Sequence, residues 1–247
     1  RPVMASITSA TSGPSNATGT WTGGVVPVVG DQVTIAHPGT STLATTAQHV
    51  TDAAGYAIGA TNIVVTTGTG SIVAGECVQF GSDPAYYKVA TGVSTVGTIV
   101  LAAPGLTTAI PAAVTSVTNR GHVVELAATH TWGHDVSSLT PATNSIVVLG
   151  TLKASRSVSS SLTARGTLFY GAGGTVDFGV PSVDAIPSGV TATLILNDSA
   201  TLASGKHGMS NNGVIGSDLK LAGVVRTRNT RLTSGISAGA TSITVDD

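Results

Sequence analysis

A short step recurs along the second half of the chain. It runs Gly150-Thr-Leu152, Gly166-Thr-Leu168, Gly174-Thr-Val176, Ala192-Thr-Leu194 and Ala200-Thr-Leu202, and Gly216-Ser-Asp-Leu219 continues it. The intervals alternate between short and long and are not a strict period. Each step offers a corner residue, a β-branched residue and an aliphatic one, which suits a turn followed by a short strand with one inward side chain. Repetition of such a unit predicts a β-solenoid, whose coils stack so that backbone pairing runs along the axis over a narrow aliphatic core. Leu152, Leu168, Val176, Leu194 and Leu202 are the expected inward positions.

Composition agrees with an all-β chain. Charged residues are 9% and aromatic residues 4% of 247 residues, and Glu occurs only at Glu76 and Glu125. An ordinary soluble domain carries about 25% charged residues. A surface this poor in charge suits a protein packed into an assembly or an extracellular one. The 11 Lys and Arg are scattered, which argues against a nucleic-acid face. No segment approaches the ~18 apolar residues of a membrane helix. Cys77 is the single cysteine, so a disulfide scaffold is excluded, and it reads as a small buried hydrophobe. Arg1-Pro2-Val3-Met4 is not followed by a secretory apolar core.

The texture changes along the chain. Residues 1–52 read as an extended lead-in and the first solenoid strands, with a Gly30-Asp31 turn and a strand over Gln32–Ala36. Residues 53–118 read as an inserted small antiparallel β module, with strands near Ile58–Val65, Gly75–Phe80, Tyr86–Val89, Gly97–Ala102 and Ala113–Val117. Residues 119–232 read as the β-solenoid. Residues 233–247 read as the start of a further β module, because Gly59-Ala-Thr-Asn-Ile-Val-Val65 recurs as Gly239-Ala-Thr-Ser-Ile-Thr-Val245. That second copy stops at Asp246-Asp247, so the chain is expected to be part of a longer polypeptide.

Trp21, Gly23-Gly24, Pro27, Gly30-Asp31 and Val33-Thr-Ile35 stand in the order W-x-G-G-x-x-P-x-x-G-D-x-V-x-I. Ile146-Val-Val-Leu-Gly-Thr-Leu152, Leu162-Thr-Ala164 and Gly173-Gly-Thr-Val-Asp-Phe-Gly179 follow. Together these resemble the eight-glycine domain, a β-helical module of cell-surface proteins. The inserted segment, through Ala102-Ala-Pro-Gly-Leu106 and the Gly-Ala-Thr-x-Ile-x-Val opening, is similar to small β modules in structural proteins of tailed phages. The first resemblance implies a β-helix and carries no catalytic residue over. The second implies a virion setting, in which fibres and spikes are commonly trimeric.

Candidate chemistry is sparse. His130, Trp132 and His134 would face one side of a strand, so the two histidines could share a metal with Asp135 or another carboxylate, or be a solvent-exposed or turn histidine pair. Asp31 reads as a turn residue bonding backbone amides rather than a catalytic carboxylate. Asp31, Asp135, Asp177, Asp184, Asp198 and Asp218 form no carboxylate-pair motif. No G-x-S-x-G elbow occurs, and Gly171-Ala-Gly-Gly174 opens no helix, which argues against a phosphate loop. Arg226, Arg228 and Arg231 read as a solvated face, an inter-subunit contact or a contact to an acidic partner. No catalytic, cofactor-binding or metal residue is therefore assigned, and no cofactor is expected.

These readings predict a non-enzymatic structural protein of a tailed-phage virion: a tail fibre, spike base or capsid-attached decoration. The alternatives are a bacterial or archaeal surface adhesin, or the N-terminal part of a polysaccharide-degrading enzyme with its active site beyond residue 247. The expected partners are further copies of the chain, with a trimer favoured, and other virion proteins. A host-surface glycan is a further candidate, whereas nucleic acid and membrane are not expected. The β-prone, uncharged Ala240-Thr-Ser-Ile-Thr-Val245 is expected to be covered by further chain or by a partner subunit.

Overall fold

The computed structural model describes residues 5–40, 48–51, 54–66, 68–112, 114–133, 146–180, 183–197, 208–210 and 218–221. The fold is all-β. Among the described residues helix is confined to two 3-10 turns, Thr18–Thr20 and Thr22–Gly24, on either side of Trp21. The chain opens with β1 (Ser6–Thr8), β2 (Gly13–Pro14) and β3 (Gln32–Ile35). Next come β4 (Gln48–Thr51), β5 (Asn62–Val65), β6 (Cys77–Phe80), β7 (Tyr87–Thr91), β8 (Gly97–Leu101) and β9 (Val114–Asn119). β10 (Val123–Leu126), β11 (Thr129–Gly133), β12 (Ile146–Val148), β13 (Thr151–Ala154) and β14 (Ser160–Arg165) follow. The last are β15 (Thr167–Tyr170), β16 (Thr175–Phe178), β17 (Ala192–Asn197), β18 (Gly208–Ser210) and β19 (Asp218–Leu221).

The strands sort into two kinds. β4 to β9 form one antiparallel sheet in the order β4-β9-β6-β7-β8-β5. The others form three parallel sheets: β1-β3-β12-β15-β18, then β2-β10-β13-β16-β19, then β11-β14-β17. From β10 onward the chain visits these sheets in fixed rotation, and every strand from β12 on pairs with the preceding strand of its own sheet, as β10 does with β2. Registers are regular. Val33, Ile146 and Leu168 align across the first sheet, and Val124, Leu152 and Val176 across the second.

These columns are the core. Val33, Ile146, Leu168, Val124, Leu152 and Val176 are fully buried in one cluster, together with Trp132, Leu162 and Ala164 of the third sheet. Of the five residues expected to point inward, Leu152, Leu168 and Val176 are wholly buried. Leu194 is half-buried against the same cluster, and Leu202 lies outside the described residues. Trp21 belongs to the cluster, edge-on to Trp132 at 5.6 Å, with its indole N–H donated to the Ser15 carbonyl. The antiparallel sheet wraps a second, separate cluster that includes Ile63, Val78, Phe80, Val89, Ile99 and Val117.

Tyr87–Thr91 pairs antiparallel with Cys77–Phe80, as the alternation of the segment suggested. Two short strands in the lead-in were not anticipated. β1 and β2 supply the first strands of two parallel sheets. β4 lies upstream of residue 53 and pairs with β9.

Glycines mark one corner because there is no room for more. A Cβ on Gly150 would sit 2.4 Å from the His122 carbonyl oxygen and 2.6 Å from that of Ala36. One on Gly174 would sit 2.1 Å from the Val148 carbonyl oxygen. These are backbone atoms and cannot rotate away. Gly150→Ala is expected to cost about 1–3 kcal/mol by urea denaturation. Gly19→Ala, with nothing within 4 Å of its Cβ, is the near-neutral control.

Candidate functional site

The second parallel sheet carries a ladder of charges on its outer face. Glu125 pairs in register with Lys153, Lys153 with Asp177, and Asp177 with Lys220. The signs alternate along the ladder, and adjacent strands place these residues about 4.8 Å apart. Opposite charges directly across a strand pair stabilise it, and like charges would not. The ladder lies under the antiparallel sheet. Tyr86, just before β7, donates its hydroxyl to Asp177 Oδ2 at 2.7 Å, and its ring lies 4.9 Å from Lys153 Nζ. Lys88, on β7, donates to the Ser12 carbonyl at 2.7 Å.

Arg156 gathers the acids of this region. Its Nη2 contacts Asp177 Oδ1 at 2.7 Å and Asp184 Oδ2 at 3.0 Å. Its Nε donates to Asp184 Oδ1 at 3.1 Å and its Nη1 to the Ala154 carbonyl at 2.7 Å. Asp177 is 1% exposed and also accepts the Gly179 amide at 3.0 Å. Burial opposes its charge, but Tyr86, Gly179 and Arg156 together hold its carboxyl below the usual range. The stabilisation from Asp177 is therefore present above the ordinary carboxylate range and is lost as pH falls through the depressed value. Burial, and then the Asp177 charge, push the Tyr86 hydroxyl up, so it stays protonated and donating.

Two clefts flank Tyr86. One, of about 210 Å³, is lined by Ser82, Asp83, Arg120, Asp177, Asp184 and Lys220 among others. The second, of about 220 Å³, is lined by Ser12, Cys77, Lys88, Glu125 and Lys153 among others. Arg120 donates its Nε to Gln79 Oε1 at 2.7 Å, and Asp83 Oδ2 accepts the Tyr87 hydroxyl at 2.6 Å. The first cleft thus presents donors and acceptors of both charges, whereas its two best-placed acids, Asp177 and Asp184, share one guanidinium.

The structure brings together Asp177 and Asp184, which form no carboxylate-pair motif in the sequence. Asp31 is a turn residue that bonds the backbone: its Oδ2 accepts the Val28 amide at 2.9 Å. His130 and Trp132 do share a side, with ring centres 5.1 Å apart. His130 Nε2 lies 2.7 Å from Ser15 Oγ, and burial lowers the pKa of the ring. His134 and Asp135 lie outside the described residues, as do Asp198, Arg226, Arg228, Arg231 and the Gly239–Val245 repeat. Among the described residues no group of three or more metal-ligating side chains occurs. Cys77 is 4% exposed, and burial pushes its thiol up to about 11, as suits an unreactive core residue.

No family model matches the chain, and searches of curated proteins and of solved structures find no match either.

Proposed function

We propose that the chain is a non-enzymatic structural protein of a tailed-phage virion: a tail fibre, spike base or capsid-attached decoration. In this reading the three parallel sheets are a β-solenoid, resembling the eight-glycine β-helix, and the antiparallel sheet is a side module inserted in an early coil. One observation carries it. Within each of the three parallel sheets neighbouring strands keep an unshifted register, and in the solenoid reading their backbone hydrogen bonds run along one axis. Such a column resists extension and bending, which is what a load-bearing particle component needs. Asp177 and Asp184, which line one cleft, are held by Arg156, and Asp177 by Tyr86 as well, and that commitment favours a scaffold over a catalyst.

The functional unit in this reading is a homo-oligomer, with a trimer favoured, joined to other virion proteins. Light scattering on the purified 247-residue chain is expected to give a mass near three copies. A monomer that persists at high concentration would remove the oligomer from the account. Immunogold labelling of particles in the electron microscope is the direct test of location. Gold on the tail or capsid surface supports the assignment, and gold confined to the cell envelope would favour the adhesin alternative.

The cleft beside Tyr86 favours a second role on the same protein, contact with a host-surface glycan. Sugar hydroxyls both donate and accept, and Ser82, Asp83, Arg120 and Asp184 offer both kinds of partner at monosaccharide scale. Titration of the full chain with glucose, galactose, N-acetylglucosamine and glucuronate, followed by NMR, is expected to move the Ser82 and Arg120 amide signals. No shift with any of the four would end this reading and leave the structural role standing.

A further inference from the structure

The second of the two clefts at Tyr86 is lined from two sheets. β6 and β7 of the antiparallel sheet supply Cys77 and Lys88, and β2, β10 and β13 of the second parallel sheet supply Pro14, Glu125 and Lys153. Two ammonium groups carried by different sheets therefore converge on one space of about 220 Å³, in the company of a single carboxylate.

An ammonium has three N–H donors. Lys88 uses one of them on the Ser12 carbonyl at 2.7 Å. Among the described residues Lys153 makes no hydrogen bond at all. Its side chain is 17% exposed, and its nearest carboxylate oxygen, Asp184 Oδ2, is 4.0 Å away. That oxygen already accepts Arg156 Nη2 at 3.0 Å. The other neighbour of the Lys153 ammonium is the face of the Tyr86 ring, 4.9 Å from it. A charge drawn this far out of water is costly unless an opposite charge is hydrogen-bonded to it. An aromatic face and a carboxylate shared with Arg156 meet only part of that need.

We propose that this cleft is a binding site for a hydroxylated carboxylate, the class to which uronic sugars belong: the ligand carboxylate sits between Lys88 and Lys153, and Glu125 accepts a ligand hydroxyl. Charge-assisted bonds from two lysines fix the anionic end. Glu125, directly across from Lys153 in the strand register, disfavours a bare anion and offers an acceptor to one that carries hydroxyls. Cys77 and Val123, both buried, give an apolar floor for the C–H face of a ring. The two walls are held together without a ligand. Tyr86 bonds Asp177, Lys88 bonds the Ser12 carbonyl, and the Ser12 amide bonds the Gly75 carbonyl at 2.8 Å. The cleft is thus formed in advance, as small-molecule sites usually are. It is separate from the glycan contact at the first cleft, and neither depends on the other.

NMR titration of the full chain with glucuronate, acetate and glucose reads the site. Glucuronate is expected to move the Lys88 and Lys153 Cε–H signals and the Gly13 and Val123 amides together, saturating with a Kd of about 1 mM. Acetate is expected to bind at least about fivefold more weakly, and glucose to leave these signals in place. Lys153→Met, which keeps the stem and removes the charge, is expected to weaken glucuronate at least about tenfold. Glu125→Gln is expected to narrow the gap between glucuronate and acetate, and an unchanged gap would contradict the role given to Glu125. No saturable shift at the two lysines with glucuronate would overturn the proposal. So would equal binding of acetate or glucose, or unchanged binding in Lys153→Met. If Lys153→Met does not fold, salt decides in the unaltered chain. Raising sodium chloride from about 20 mM to about 300 mM should weaken glucuronate severalfold, and a salt-independent Kd would contradict the two-lysine clamp. Movement of the Ser82 amide while both lysine signals stay still supports the glycan contact at the first cleft and overturns this site.

Discussion

Leu168→Asp is expected to abolish the folded state of the parallel sheets. Leu168 is 0% exposed and sits in register between Ile146 and Met209 on β12 and β18. Loss of a buried leucine side chain alone costs about 2–5 kcal/mol. An unpaired carboxylate in the same place adds several kcal/mol more. Domains of this size are typically stable by only about 5–15 kcal/mol. Circular dichroism and urea titration should show a cooperative loss of β-structure, while Leu168→Met, a volume-conserving change, should cost less than about 1.5 kcal/mol. A folded Leu168→Asp protein with unchanged urea midpoint would mean that this column is not the core.

The second large effect is expected at Arg156. Its removal leaves Asp177 buried with a charge and without its cationic partner, and strips Asp184 of both its hydrogen bonds to the guanidinium. Breaking a buried pair from one side costs about 3–5 kcal/mol. Arg156→Ala is expected near the lower end, because Asp184 is 21% exposed and water can replace part of its loss. The double variant Arg156→Ala with Asp177→Asn should recover part of the stability, since the orphaned charge is gone. If the two single costs simply add in the double variant, Arg156 and Asp177 are not coupled and the clamp described above does not exist.

The sequence carried the strand content and much of the core. Gly-Thr-Leu and Gly-Thr-Val steps combine a corner glycine with an inward aliphatic, and Leu152, Leu168 and Val176 are buried for that reason. The lead-in was harder to read. β1 and β2 are 3 and 2 residues long, too short for alternation to show, and they exist because β3 and β10 offer them an edge. The charge ladder was legible but unread. Val124-Glu-Leu126, Leu152-Lys-Ala154, Val176-Asp-Phe178 and Leu219-Lys-Leu221 each set one charged residue between two apolar ones, with the sign alternating from copy to copy. Tyr86, Arg156 and Glu76 leave no such trace. The role of Tyr86 depends on the antiparallel sheet lying across the second parallel sheet, that of Arg156 on Asp177 and Asp184 being brought together, and that of Glu76 on a turn that aims it back at Gly39. None of these follows from local spacing.

Quantitative mass spectrometry of purified phage particles from the source host tests the central claim most directly. The account predicts peptides of this chain in the particle fraction, at a fixed copy number per particle that is a multiple of three. Peptides found only in the cell envelope or the soluble lysate, and absent from intact particles, would contradict it.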